Sequence, residues 1–231
     1  MNLTRKIISS HLATGKMSVG SEIGLRIDQT LIHDATGQMA LLQYEAIGAG
    51  RVKTKRSLTY ADHNTLQVSF ENMDDHHFLA SASRKFGLRY SRAGNGICHQ
   101  VNLERFSVPG QTLLGADSHT TTAGGVGMLA IGVGGLDAAV AMAGEPFFLM
   151  MPEVLNIRLT GSLPPWSSAK DVALEILRRL TVSGADRDDD GSQRVVLRVP
   201  PLLGCSGTRI TACATGRSSS PAPEAGSVGL L

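Results

Sequence analysis

The chain has 231 residues, 42% of them apolar and 18% charged, which is the composition of a globular protein long enough to bury a substantial core. Its 22 basic and 20 acidic side chains leave a formal charge of +2, which excludes the strongly basic field that nucleic acid or an anionic membrane surface would require. Three cysteines, Cys98, Cys205 and Cys213, do not form the disulfide framework of a secreted protein, so a reducing cytoplasm is the expectation.

The opening segment MNLTRKIISSHLATGK has no continuous apolar run of signal-peptide length and reads as a short helix. Thr4 is its expected cap, Leu3 and Ile8 its staple, and Gly15 its stop. Residues 21–28 alternate Ile23, Leu25 and Ile27, the period of a strand, and residues 36–46 read as a helix. SLTYAD at 57–62 is strand-like and leads directly into His63. Residues 71–87 place Phe78, Leu79, Ala82 and Phe86 on one helical face and stop at Gly87, which leaves His76 and His77 on or near the solvated side.

Strands are expected near LRYSR, TLLGAD and VLNIRLTG, and a helix over SSAKDVALEILRRL behind a Ser168 to Asp171 capping box. The apolar stretch 124–151 has membrane-like hydropathy, but Asp137, Glu145, Pro146 and its glycines make it soluble core. Short strands mixed with helices from residue 20 to about 182 imply a layered α/β domain. From 183 to 231 the composition shifts to Gly, Ser, Arg, Pro and Ala without periodicity, and this tail is expected to be largely disordered.

Four polar clusters stand at the ends of apolar elements: His33-Asp34, Asp62-His63, His99, and Asp117-Ser118-His119. Strand ends and the loops after them are where α/β sheets build sites. A carboxylate beside an imidazole fixes its tautomer and suits it to proton transfer. Asp62 with His63, and Asp117 with His99 or His119, are the candidate pairs. The glycines at 124, 125, 127, 132, 134 and 135 allow close backbone approach, but the run lacks the lysine or following acid of a nucleotide loop. No HExxH, CxxC or other tight ligand spacing occurs, so no protein-held metal site is expected.

The segments QTLIHDATGQMALLQYEA, YADHNT, GNGICHQV and LLGADSHTTTAGGVGMLAIGVGGLDAAVAMAG, in that order, resemble the amino-terminal domain of the aconitase superfamily, and within it the bacterial aconitate hydratases. The likeness covers residues 1–182 and implies an incomplete three-layer α/β/α domain. It also implies a hydro-lyase acting on a tri- or dicarboxylate, namely the citrate-to-isocitrate isomerisation of the tricarboxylic acid cycle through cis-aconitate. Isopropylmalate dehydratase and homoaconitase share these motifs, and a non-catalytic carboxylate-binding remnant is a further alternative.

Carried onto this chain, the resemblance makes Asp62 and His63 the pair that protonates the leaving hydroxyl, with His99 a further catalytic imidazole. Asp117, Ser118 and His119 grip the substrate, Asp117 and His119 also taking part in catalysis. His33 occupies a substrate-binding position that is usually Gln, and an imidazole donates and accepts at a different reach. The family's 4Fe-4S cluster is held by cysteines in a Gly-Ser-Cys-Thr-Asn context and a Cys-x-x-Cys, neither of which occurs here. The tail after 182 accordingly reads as translated out of frame, or as loss of later domains, and the chain alone is expected to be inactive. Nothing in the sequence marks an oligomeric state, a nucleic-acid partner or a membrane anchor.

Overall fold

The structure is a computed structural model that describes residues 1–157, 162–180 and 194–197. Its first helix, α1 (Leu3–His11), is capped by Asn2, whose side chain accepts the Arg5 N–H at 2.9 Å. Thr4, the cap expected from the sequence, is instead buried in the first turn. The helix also stops earlier than Gly15, because Leu12–Gly15 turns back as strand β1 and pairs antiparallel with β2 (Glu22–Leu25). The strand expected over 21–28 is therefore broken. Ile23 and Leu25 belong to this small sheet, and the chain then enters the main sheet as β3 (Gln29–His33).

From β3 the chain runs through helix α2 (Gly37–Ile47), β4 (Arg56–Tyr60), helix α3 (Phe70–Phe86) and β5 (Arg89–Ser91). Helix α4 (Cys98–Arg105) leads to β6 (Thr112–Gly115), a 3-10 segment at Ser118–Val126, β7 (Leu129–Gly132) and helix α5 (Gly135–Met142). The five strands form one all-parallel sheet in the order β5-β4-β3-β6-β7. Because β3 is central, the chain moves outward to one side through β4 and β5. It then returns to the other side of β3 with β6 and β7, creating a switch point between β3 and β6. Strand β8 (Phe147–Met150) completes the small antiparallel sheet by pairing with β2.

Alternation along the central strands feeds both faces, as a sheet buried on two sides requires. Ile32 packs with Ala40, Leu41 and Tyr44 of α2, Leu79 and Phe86 of α3, and Ala138 and Met142 of α5. Its neighbour Leu31 points the other way, joining Leu58, Tyr60, Leu113 and Ala130 under Cys98 of α4 and Ala123 of the 3-10 segment. A third cluster joins Ile7 and Ile8 of α1 to Ile23, Leu25 and Phe147 of the small sheet and to Leu114, Leu129 and Ile131. The apolar stretch 124–151 is thus spent on β7, α5 and β8, and among the described residues no helix is long and apolar enough to cross a membrane.

Helix α3 ends as the sequence requires, with Gly87 left-handed at φ 88° and its N–H bonded to Ser83 O. Helix α6 (Ala169–Leu180) begins behind Ser168, whose N–H and hydroxyl both donate to the Asp171 carboxylate at 2.7 and 2.9 Å. Strand β9 (Glu153–Asn156) realises the start of the expected VLNIRLTG strand, while 158–161 lie outside the described residues. Most of the tail, 181–193 and 198–231, lies outside them too. Within it, β10 (Arg194–Leu197) pairs in parallel with β9.

Two strand-end glycines set the height of the 3-10 segment above the sheet. A Cβ at Gly115 would meet Thr120 Oγ1 at 2.0 Å, and one at Gly132 would meet the Asp117 carbonyl oxygen at 2.6 Å. Backbone stands in the way at Gly132, so Gly132→Ala should destabilise the fold by about 1–3 kcal/mol, the usual overpacking range. The urea midpoint should fall, and amide shifts in NMR spectra should concentrate at residues 117–121. Unchanged shifts there would show that the segment does not rest on this glycine.

Candidate active site

The candidate residues lie at the carboxyl ends of β3, β4 and β6 and at the start of α4. His33 ends β3 and Asp34 follows it; Asp62 and His63 follow β4; Asp117 follows β6 as the cap of the 3-10 segment, with Ser118 and His119 in its first turn. His99 is the second residue of α4. The candidate residues thus gather at the carboxyl end of the sheet, around the switch point between β3 and β6. Two groups result, His33, Asp34, Asp62 and His63, and His99, Asp117 and His119, each with ligand-type atoms within 4.8 Å of one another.

Asp117 is the hub. Its Oδ2 lies 3.3 Å from His33 Nε2, and its Oδ1 accepts the His119 N–H at 2.7 Å. His99 Nε2 is 2.7 Å and His119 Nδ1 3.4 Å from the same Oδ1. Burial alone would raise the Asp117 carboxyl, but the His33 and His99 contacts and the His119 amide outweigh it and hold the group well below the ordinary carboxylate range. It is therefore a fixed negative charge. The Ala35 N–H donates to His33 Nδ1 at 3.2 Å, so the proton on His33 resides at Nε2 and points at Asp117.

Beside it stands the Asp62–His63 pair. His63 Nδ1 is 2.9 Å from Asp62 Oδ1, while Asp62 Oδ2 accepts the Cys98 N–H at 2.6 Å at the positive end of α4. The His63 ring stacks on His33 at 3.9 Å between centroids and 13° between planes, which links the two groups. His63 keeps a third of its side chain exposed, and His119 keeps 58%. These two rings face the opening, whereas both nitrogens of His33 are engaged.

Asp34 and His76 carry the support beneath. The fully buried Asp34 carboxylate accepts the His63 and Asn64 N–H groups, each at 2.9 Å, and lies 3.0 Å from His76 Nε2. Burial pushes its carboxyl up, and those donors bring it below its usual value. His76 is thus buried, correcting its placement on the solvated side, while His77 is exposed as expected. The signal was available: His76, Leu79, Ser83 and Phe86, all buried, repeat at helical spacing on α3.

An iron–sulfur cluster needs cysteine thiolates. The cysteine among the described residues, Cys98, is buried, and burial together with the Asp62 charge pushes its thiol up, so it remains neutral. Cys205 and Cys213 lie outside the described residues. The described residues therefore do not fit such a cluster.

Comparison with known proteins identifies the family. The sequence signature of the aconitase family (aconitate hydratase) matches residues 5–188. A probable mitochondrial aconitate hydratase of Dictyostelium discoideum is 39% identical over 197 residues, covering 80% of this chain and 25% of that protein. The mitochondrial homocitrate dehydratase of Saccharomyces cerevisiae is 37% identical over 204 residues, covering 80% and 26%. The mitochondrial aconitate hydratase of the same yeast is 41% identical over 174 residues, covering 71% and 22%. The chain spans about a quarter of the length of the relatives it matches. A family signature matched over residues 5–188, with relatives up to 41% identical, places this protein in the aconitase family.

Proposed function

We propose that this chain supplies the proton-donating and carboxylate-gripping part of a hydro-lyase site for a hydroxy tricarboxylate, with citrate-to-isocitrate isomerisation as the reaction. The observation that carries the reading is the convergence of Asp62–His63 and Asp117–His119 on one opening. With Nδ1–H donated to Asp62, His63 presents Nε2 to the crevice, where a protonated ring gives its proton to a departing hydroxyl and takes one back on rehydration. The Ser118 hydroxyl, 3.2 Å from His119 Nδ1, and the exposed His119 ring bind the substrate's carboxylate and hydroxyl oxygens. His33 serves binding through Asp117, whose orientation it fixes, and His99 buttresses the same carboxylate. The described residues carry no thiolate set, so in this reading the chain binds its substrate but does not turn it over alone.

Histidine side-chain NMR on the full chain tests this. Citrate and isocitrate should shift the His63 and His119 ring signals saturably, isopropylmalate should do so more weakly, and His63→Gln should leave the His119 response in place. Absence of saturable shifts with all three acids would sink the reading. A stronger response to isopropylmalate than to citrate would move the substrate to the dicarboxylate branch.

A further inference from the structure

We propose that His99, Asp117 and His119 form a binding site for a single divalent transition-metal ion. Two imidazoles and one carboxylate make a facial donor set, the kind that holds iron(II), zinc or cobalt(II) while leaving other coordination positions open. The donor atoms are His99 Nε2, Asp117 Oδ1 and His119 Nδ1, with Nε2–Oδ1 and Nδ1–Oδ1 separations of 2.7 and 3.4 Å. Ligands at metal bond lengths of about 2.0–2.2 Å stand about 3.0–3.4 Å apart at octahedral or tetrahedral angles, so these two separations lie within a few tenths of an ångström of that range, and the two imidazole nitrogens, within 4.8 Å of each other, close on an ion by rotation of the exposed His119 ring.

A second observation is independent of that spacing. His99 is nine-tenths buried, yet its Nε2 makes no aligned hydrogen bond, the nearby carboxylate oxygen lying off the direction of a ring N–H. A buried ring nitrogen without a proper partner is costly, and a cation between it and Asp117 Oδ1 satisfies that nitrogen.

The neighbouring group argues the choice by contrast. Asp34, Asp62 and His33 already spend their donors and acceptors on His76, Asn64, His63, Cys98, Ala35 and Asp117. An ion there would have to break several good hydrogen bonds. At the proposed site the outer support is already in place, because His33 donates to the far oxygen of Asp117, while the near one accepts only the His119 N–H at 2.7 Å and keeps a lone pair for the ion. The opening is on the His119 side, 58% exposed, which gives both an entry path and room for water or a carboxylate on the ion. The inference does not depend on the hydro-lyase reading, since binding of the ion and binding of tricarboxylate are read separately.

The test is a titration of the full chain with cobalt(II), followed by its visible absorption and by histidine side-chain NMR with zinc. The expected result is one equivalent bound, with ligand-field bands of nitrogen and oxygen donors and with the His99 and His119 ring signals shifted. His99→Gln and Asp117→Asn should each weaken binding at least about 100-fold, and His33→Ala about 10–100-fold as an outer-shell loss. Binding should persist in the Cys205→Ser, Cys213→Ser double variant and in His77→Ala. Sulfur-to-cobalt charge-transfer bands, retention of affinity in folded His99→Gln, or zinc shifts confined to other histidines would overturn the proposal. If the variants do not fold, the ring shifts of the unaltered chain decide it alone.

Discussion

Asp34→Asn should lower the stability of the chain by about 3–5 kcal/mol, the range for breaking a buried, multiply hydrogen-bonded charge. The carboxylate is fully buried and accepts from two consecutive backbone amides and faces a histidine 42 positions away. An amide of the same shape keeps one acceptor but turns two N–H donors toward groups that are themselves donors. At a slope of about 2–3 kcal/mol per molar, the urea midpoint should move down by about 1–2 M. His76→Ala should cost less, because it leaves both amide bonds of Asp34 in place. A shift below about 0.3 M for Asp34→Asn would show that the carboxylate is not the keystone of the loop holding His63.

Why that keystone escaped sequence reasoning follows from its partners. Asp62 and His63 are adjacent and end a strand, so their pairing is written in the order of the residues. Asp117 with His99 was one of two alternatives, and the structure brings both rings to the same oxygen. Asp34 and His76 are joined only after β3 and α3 are laid side by side. A polar residue on a helix face reads as solvated unless its spacing from apolar neighbours, here Leu79 and Phe86, is weighed above its polarity. The same limit applies at α1, where an exposed Asn and a buried Thr two positions apart are equal candidates for a cap until burial is known.

The main sheet was legible in part. Strands β4, β6 and the start of β9 and helices α2, α3 and α6 carry their own period and stops. Strand β7 was hidden, because four residues between glycines resemble a loop until Gly132 pairs with Gly115 and brings the Asp117 carbonyl against the strand. The 3-10 course of Ser118–Val126 is likewise decided by the sheet beneath it, where Thr120 lies over Gly115, rather than by local propensity.

Acid should unfold the chain through the same carboxylates. Asp34 and Asp117, and Asp28 on the opposite end of the sheet, are all held below the usual value; in each, burial opposes the shift and donors outweigh it, for Asp28 those being Lys55, the Thr112 N–H and His11. A carboxyl with a lowered pKa in the folded state contributes stability that is fully present above its unfolded value, about 3.9. That stability is lost as pH falls toward the folded value, since the unfolded chain binds the proton first. Unfolding free energy should therefore drop between pH 5 and pH 2.5, at up to about 1.4 kcal/mol per pH unit for each such group. Asp117→Asn has one proton fewer to take up, so its profile should start lower at pH 6 and fall less steeply. Salt screens repulsion among surface charges but acts weakly on a half-buried hub, so the difference in slope should survive at high ionic strength. Parallel profiles for the two proteins would mean that the Asp117 charge is not held by His33 and His99 in the folded chain, and the arrangement of imidazoles around it would have to be redrawn.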